Sequence, residues 1–239
     1  MPLVAAYHRP DTLDEALSLL AESNRIPLAG GTVVNADRAR PLVEVVDLQA
    51  LGLAGVDDAG GRLRIGAMTT LDALADDPVT PDLVARTARA ELPSTLRTLA
   101  TVGGTVAEGD ADSTLLAALL VHDAEAHLAG AEDVPLAVVL AVGVPPGALV
   151  TGVSIDASGQ GSLAVTGRTP ADTPIVAAVG RRAADGIHLA LTGVAGRPVL
   201  VDAAQPTADL SPDGDFRGSS VYRLELARVL AARVVEELG

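Results

Sequence analysis

The sequence predicts an α+β protein in three successive parts, residues 1–55, 56–158 and 159–239, from three observations. Amphipathic helical stretches alternate with short apolar runs over the first two parts. The last part reads as a meander of strands followed by one long helix. Two Gly-Gly-Thr turns, at residues 30–32 and 103–105, each lie between apolar runs.

Along the first part, "RPDTLDEALSLLAES" places Leu13, Ala16, Leu17 and Leu20 at helical spacing behind a Thr12/Glu15 pair resembling a capping box. "RIPLAGGTVV" reads as a strand, a glycine turn and a further extended piece, and "PLVEVVDL" as a strand ending at Asp47. The result is a small β-α-β-β unit. The second part opens with "GGRLRIGAMTTLDALADDP", a strand then a helix capped by Thr69 or Thr70. A further helix is expected from Pro81 to Ala90. "DSTLLAALLVHDAEAHLAG" is a helix, capped by Asp112 or Ser113, running into a strand; Gly143 to Pro146 form a loop, and "GALVTGVSI" is another strand.

In the third part, Ala184-Asp185-Gly186 between two apolar runs signals a hairpin, and "QPTADLSPDGDF" is a turn-rich connector. In the final helix Tyr222, Leu226, Val229, Leu230 and Val234 share one face, with Arg223, Arg228, Arg233 and Glu236 off it.

Composition narrows the function. The chain has 239 residues, 49% of them hydrophobic and 20% charged, so it can bury a sizeable core. It contains no cysteine, which excludes a disulfide framework, a thiolate zinc site or an iron–sulfur cluster held by this chain. The formal net charge is −14 and every basic residue is arginine, which disfavours nucleic acid and anionic membranes as partners. No apolar run approaches the ~20 residues that span a bilayer, and "MPLVAAYHRP" lacks the pattern of a signal peptide, so the expected setting is the cytoplasm. His8, His122, His127 and His188 show no metal-ligand spacing, and no catalytic set of Ser, His and Asp is readable.

The two Gly-Gly-Thr segments carry the strongest chemical signal. Glycine permits positive φ and close backbone approach, and threonine adds a hydroxyl, so the pair together could cradle a diphosphate. The second is expected as a turn preceding a helix, whose N-terminus favours negative charge. Either one alone reads more readily as a tight turn between strands. A P-loop is excluded because it requires lysine, and the dinucleotide fingerprint with three spaced glycines is missing.

The motifs "YHRPDTLDEAL", "PLAGGT", "VVDLQAL", "LRIGAMTTLDAL", "LRTLATVGGTVAEGDADSTLLAALLVHDAEAHL", "GALVTGVSI", "LALTGVAGRPVLV" and "YRLELARVLAARVVEEL" follow one another over nearly the whole chain. Their order resembles that of the FAD-binding (medium) subunit of molybdenum hydroxylases, of the carbon monoxide dehydrogenase, xanthine dehydrogenase and aldehyde oxidoreductase type. The resemblance implies a two-subdomain FAD-binding fold plus a small C-terminal α+β domain of antiparallel sheet and helices. It implies FAD as cofactor, and a hetero-oligomer with an iron–sulfur small subunit and a molybdopterin-binding large subunit. Electrons would pass from the clusters through the flavin to NAD, a quinone or oxygen, with no acid–base residue needed on this chain.

Carried over position by position, the resemblance assigns Ala29, Gly30, Gly31, Thr32, Val33 and Val34 to the first loop, acting mainly through backbone donors, with Asn35 adding a side-chain contact. It assigns Thr101, Gly103, Gly104 and Thr105 to the second, with Asp110 as acceptor for a ribityl or ribose hydroxyl, and Leu149 as an apolar contact of the flavin ring. The chain departs from the family in five places, one of them the trimmed loops before and after Gly130. Val33-Val34 replace a polar residue plus leucine, and the segment from Asn35 to Pro41 is short. Thr114 stands where an acidic residue is frequent, and Val165 and Thr166 where many relatives carry an aromatic and a lysine. Two alternatives follow: a non-enzymatic scaffold or regulatory relative that has lost productive flavin binding, and a stand-alone flavoprotein reductase.

Overall fold

Three sheets carry the fold, one in each successive stretch of chain. The structure, a computed structural model, describes residues 4–36, 41–167 and 172–239. Part of the short Asn35–Pro41 segment therefore lies outside the described residues.

The first sheet comprises β1 (Ala6–His8), β2 (Arg25–Leu28) and β3 (Glu44–Asp47), with helix α1 (Leu13–Leu20) between β1 and β2. All pairing is parallel, with β3 in the middle. Val45, Val46 and Asp47 are buried on that central strand, and the Tyr7 hydroxyl donates to the Asp47 carboxylate from the neighbouring strand. The α1 cap forms as the sequence predicts: the Glu15 N–H donates to Thr12 Oγ1 at 3.2 Å, and Glu15 Oε2 accepts from the Asp11 N–H at 3.3 Å. The extended piece expected after Gly31 does not form. The Asn35 N–H instead donates to the Gly31 carbonyl at 3.0 Å and the Ala36 N–H to Val33 at 3.1 Å, coiling the chain into a turn. Val33 and Val34 have strand propensity but no adjacent strand edge to pair with.

The second sheet is antiparallel, in the order β4 (Val56–Asp58), β5 (Arg62–Gly66), β8 (Leu149–Asp156), β6 (Glu125–Ala129), β7 (Val134–Pro135). Between β5 and β6 run α2 (Leu71–Asp76), α3 (Asp82–Glu91), α4 (Ser94–Arg97), α5 (Val102–Glu108) and α6 (Thr114–Val121); α7 (Leu136–Val142) follows β7. Thr70 caps α2 and Ser113 caps α6, while Thr69 exchanges hydrogen bonds with the Gly55 backbone. Every residue of α6 is buried. That matches a sequence apolar on all sides and makes α6 the central rod of the core.

The third sheet, in the order β12 (Val199–Val201), β11 (Gly186–Thr192), β10 (Val176–Ala183), β9 (Gln160–Thr166), is an antiparallel meander, and α8 (Ser220–Leu238) closes the described chain. The predicted hairpin is present, with Ala183 opposite Gly186. Alternate residues of β10 serve two layers: Val176 and Ala178 join the α8 core, while Val179 joins the core around α6. Gly180 is required on the α8 side, since a Cβ there would lie 2.4 Å from Val234 Cγ1.

The face of α8 differs from the sequence expectation. Arg223, Ala227, Leu230, Ala231, Val234 and Leu238 are buried, whereas Tyr222 is 46% exposed. Two small alanines let the helix sit close to the sheet, and Arg223 is accommodated because its guanidinium donates to the Ile175 carbonyl at 3.0 Å and the Gly193 carbonyl at 2.8 Å. No helix of the described residues is long and apolar enough to cross a membrane.

Candidate functional site

A cavity of about 500 Å³ opens where the first loop, the start of α5, the end of α3 and the start of β8 converge. Of the residues singled out from the sequence, Ala29, Gly30, Gly31, Thr32, Val33, Val34, Thr101, Gly103, Gly104, Thr105, Asp110 and Leu149 all line it. Asn35 stands outside this wall, with its amide nitrogen 2.8 Å from where a Gly31 Cβ would be.

The first loop leaves β2 at Leu28, whose carbonyl still accepts from the Leu48 N–H at 3.0 Å. Beyond it the strand pairing ends. Gly31 then takes φ +72°, a left-handed conformation that an L side chain disfavours. Among the described residues, the backbone N–H groups of Gly30, Gly31, Thr32, Val33 and Val34 donate to no protein acceptor. Five successive unengaged donors on a cavity wall form a surface suited to an anion.

The second segment is built differently from the sequence expectation. Its glycines do not form a turn ahead of a helix; Gly103 and Gly104 lie in the first turn of α5, with Thr101 as its cap. The N–H groups there are already engaged: Val102 donates to the Thr69 carbonyl at 3.0 Å, Gly103 to Ala67 at 2.8 Å, Gly104 to Thr101 Oγ1 at 3.2 Å and Thr105 to Thr101 at 2.9 Å. The Thr105 hydroxyl also donates to the Thr101 carbonyl, at 3.1 Å. This segment supplies a close, side-chain-free wall rather than open donors. The need for glycine at Gly103 comes from packing, because a Cβ would lie 2.6 Å from Ala67 Cβ.

Apolar surface comes from Leu48, Met68, Leu92 and Leu149, the last only 5% exposed. The ionisable lining residues are Glu91, Glu108 and Asp110, and no arginine or histidine joins them among the described residues. Asp110 Oδ1 accepts from the Asp112 N–H at 3.0 Å, fixing the turn that enters α6. Glu91 was not legible as a site residue. Its Oε2 accepts from the Leu115 N–H at 3.1 Å and from Thr114 Oγ1 at 3.5 Å, and burial pushes its pKa above the ordinary carboxylate value. A carboxylate from α3 thus stands beside Thr114. The only sequence hint was an acid in the last turn of a helix, against the helix dipole. Val165 and Thr166 do not line the cavity. The four histidines bond away from it: His8 to Glu44, His122 to the Asp156 carbonyl, His127 to Asp133 and His188 to Asp123 and Asp185.

Residues 3–155 match the family model described as the FAD binding domain in molybdopterin dehydrogenase. The chain belongs to this family. Within this FAD-binding family, the chain is 30% identical to the protein YgfM of Escherichia coli strain K12, over 96% of this chain and 95% of that one. It is 27% identical to the carbon monoxide dehydrogenase medium chain of Afipia carboxidovorans, again over 96% and 95%. Among solved structures, the reconstituted CO dehydrogenase from Oligotropha carboxidovorans superposes with a TM-score of 0.86 at 26% identity, covering 100% of this chain and 98% of that one. The mixed α+β architecture is that of the FAD-binding family of carbon monoxide and xanthine dehydrogenase flavoproteins.

Proposed function

We propose that this chain is the FAD-binding electron-transfer subunit of a molybdenum hydroxylase complex in the cytoplasm. Its electron donor would be the iron–sulfur clusters of a small partner subunit, supplied in turn by a molybdopterin-binding large subunit, and its acceptor an external oxidant. These 239 residues contain no cysteine, so the clusters would be held outside them.

The observation that carries this reading is the run of unengaged N–H groups from Gly30 to Val34 on the wall of a cavity of dinucleotide scale. With no cationic side chain lining the cavity among the described residues, these donors are the groups there able to meet a diphosphate. Glu108 and Asp110 repel it from their end of the wall and accept from hydroxyl groups instead. Leu149, Met68 and Leu48 offer apolar area to a flat ring. FAD, when bound, supplies the redox chemistry, and the chain binds, orients and shields it.

An absorption spectrum of the purified protein, followed by FAD titration of any apo fraction, tests the proposal. Flavin bands released as FAD on denaturation are the expected result. A colourless protein that ignores excess FAD, with its partners present, overturns it. The second reading, a scaffold relative without productive flavin binding, is favoured by one observation: among the described residues, three carboxylates and no cation line the cavity.

We also propose the division into parts 1–55, 56–158 and 159–239, supported by one sheet in each. Limited proteolysis with cleavage near residues 55 and 158 is the expected pattern.

A further inference from the structure

We propose that Glu91 is a cofactor-binding residue, whose free carboxyl oxygen hydrogen-bonds to an oxygen of the bound dinucleotide. This rests on the FAD reading above and extends it to a residue on α3, outside both glycine segments.

The geometry separates the two oxygens of Glu91. Oε2 is committed to α6, accepting from the Leu115 N–H at 3.1 Å and from Thr114 Oγ1 at 3.5 Å. The Ser113 side chain also hydrogen-bonds the carboxyl, and Oε1 is not among the polar atoms sealed from solvent without a partner. The side chain lies deep in the protein while keeping accessible surface, and the open space beside it is the cavity. Oε1 takes no part in the Leu115 and Thr114 bonds and is the oxygen left for a ligand.

A purely structural role does not account for a carboxyl here. The α6 N-terminus already has Ser113 as its cap, with the Leu116 N–H donating to Ser113 Oγ at 3.0 Å. Completing the cap at Leu115 needs only an acceptor, which a neutral amide or hydroxyl supplies without the cost of burying an acid. Burial and the nearby Asp110 both favour the protonated form. In that form Oε2 still accepts from α6, and Oε1 carries the proton. The pair then bridges α6 to a hydroxyl, carbonyl or ring acceptor of the cofactor. The bridge ties flavin occupancy to the buried central helix.

The experiment measures FAD affinity by flavin fluorescence for the full chain and for the variants Glu91→Ala and Glu91→Gln, alongside apo stability. It also records the infrared difference spectrum of FAD binding for wild type and Glu91→Gln. The Ala variant is expected to bind FAD about tenfold more weakly, the size of one lost hydrogen bond, and the Gln variant to stay within about threefold. A carboxyl C=O band shifting on FAD binding in wild type, and missing from Glu91→Gln, is the accompanying signature. Equal FAD affinity in wild type and Glu91→Ala with only apo stability reduced overturns the proposal and leaves the FAD reading standing. If Glu91→Ala fails to fold, the infrared comparison decides, and an unchanged carboxyl region overturns the proposal. A wild-type protein that binds no FAD removes the reading beneath it, and this proposal with it.

Discussion

Gly30 rests directly on the backbone carbonyl of Leu99: a Cβ built on Gly30 would stand 1.7 Å from that oxygen. The first loop and the segment entering α5 are thus in backbone contact. Glycine is needed at this position so that the two walls of the cavity can meet.

Gly30→Ala is expected to force the loop off Leu99, costing ~2–4 kcal/mol of stability and at least about tenfold in FAD affinity. Gly104→Ala is the control, since its Cβ would meet only Thr101 Oγ1, at 3.1 Å. It is expected to stay within about 1 kcal/mol of the parent in a denaturant titration. A Gly30→Ala protein as stable and as yellow as the parent would refute the packing argument.

Arg223 binds the Ile175 and Gly193 carbonyls and forms an ion pair with Asp215 at 2.8 Å, while itself only 4% exposed. Truncation to alanine strands the buried Gly193 carbonyl and the part-buried Ile175 carbonyl and is expected to cost ~3–5 kcal/mol. Lysine, a point charge without the planar fork, recovers part of that. Thermal unfolding of both variants checks the ranking, and an Arg223→Lys protein no better than Arg223→Ala counts against it.

Glu91 gives a stability signature with a definite sign. In the unfolded chain its proton is lost near the ordinary value of 4.5; in the folded chain burial holds the proton to higher pH. Between those two values the folded state binds more protons, so rising pH weakens folding. Glu91→Gln carries no such proton. Its stability relative to wild type is expected to climb as pH rises above 4.5 and to level off beyond the folded pKa. Denaturation from about pH 4 to about pH 8 measures the difference, and a flat difference contradicts the buried acid.

Saturating FAD is expected to raise stability by linkage, ~2.7 kcal/mol at a concentration one hundred times its Kd. AMP alone lacks the flavin, the ribityl chain and one of the two phosphates, and should shift the thermal midpoint far less. Equal shifts for the two ligands would argue that the cavity recognises only the nucleotide end.

Much of this was written locally. The Thr12, Thr70 and Ser113 caps, the Ala184-Asp185 hairpin and the two glycine segments are short-range features, set by side chains a few residues from the backbone they control. The order of motifs was enough to place the chain in its family. Local reading failed where partners are distant. Arg223 looked like an exposed residue because its carbonyl partners at Ile175 and Gly193 lie far away in sequence.

By itself, then, the sequence determined the α+β class, because helix and strand periodicity and turn chemistry are encoded within a few residues, while the resemblance carried by its motif order supplied the family and twelve of the cavity-lining positions. The tertiary structure alone decided what those positions do. It placed open N–H groups at Gly30 to Val34 and closed ones at Val102 to Thr105. It also brought Glu91 of α3 against the N-terminus of α6. Whether a backbone donor is free, or a carboxyl is buried, depends on what the rest of the chain brings beside it, and that proximity is created only by packing.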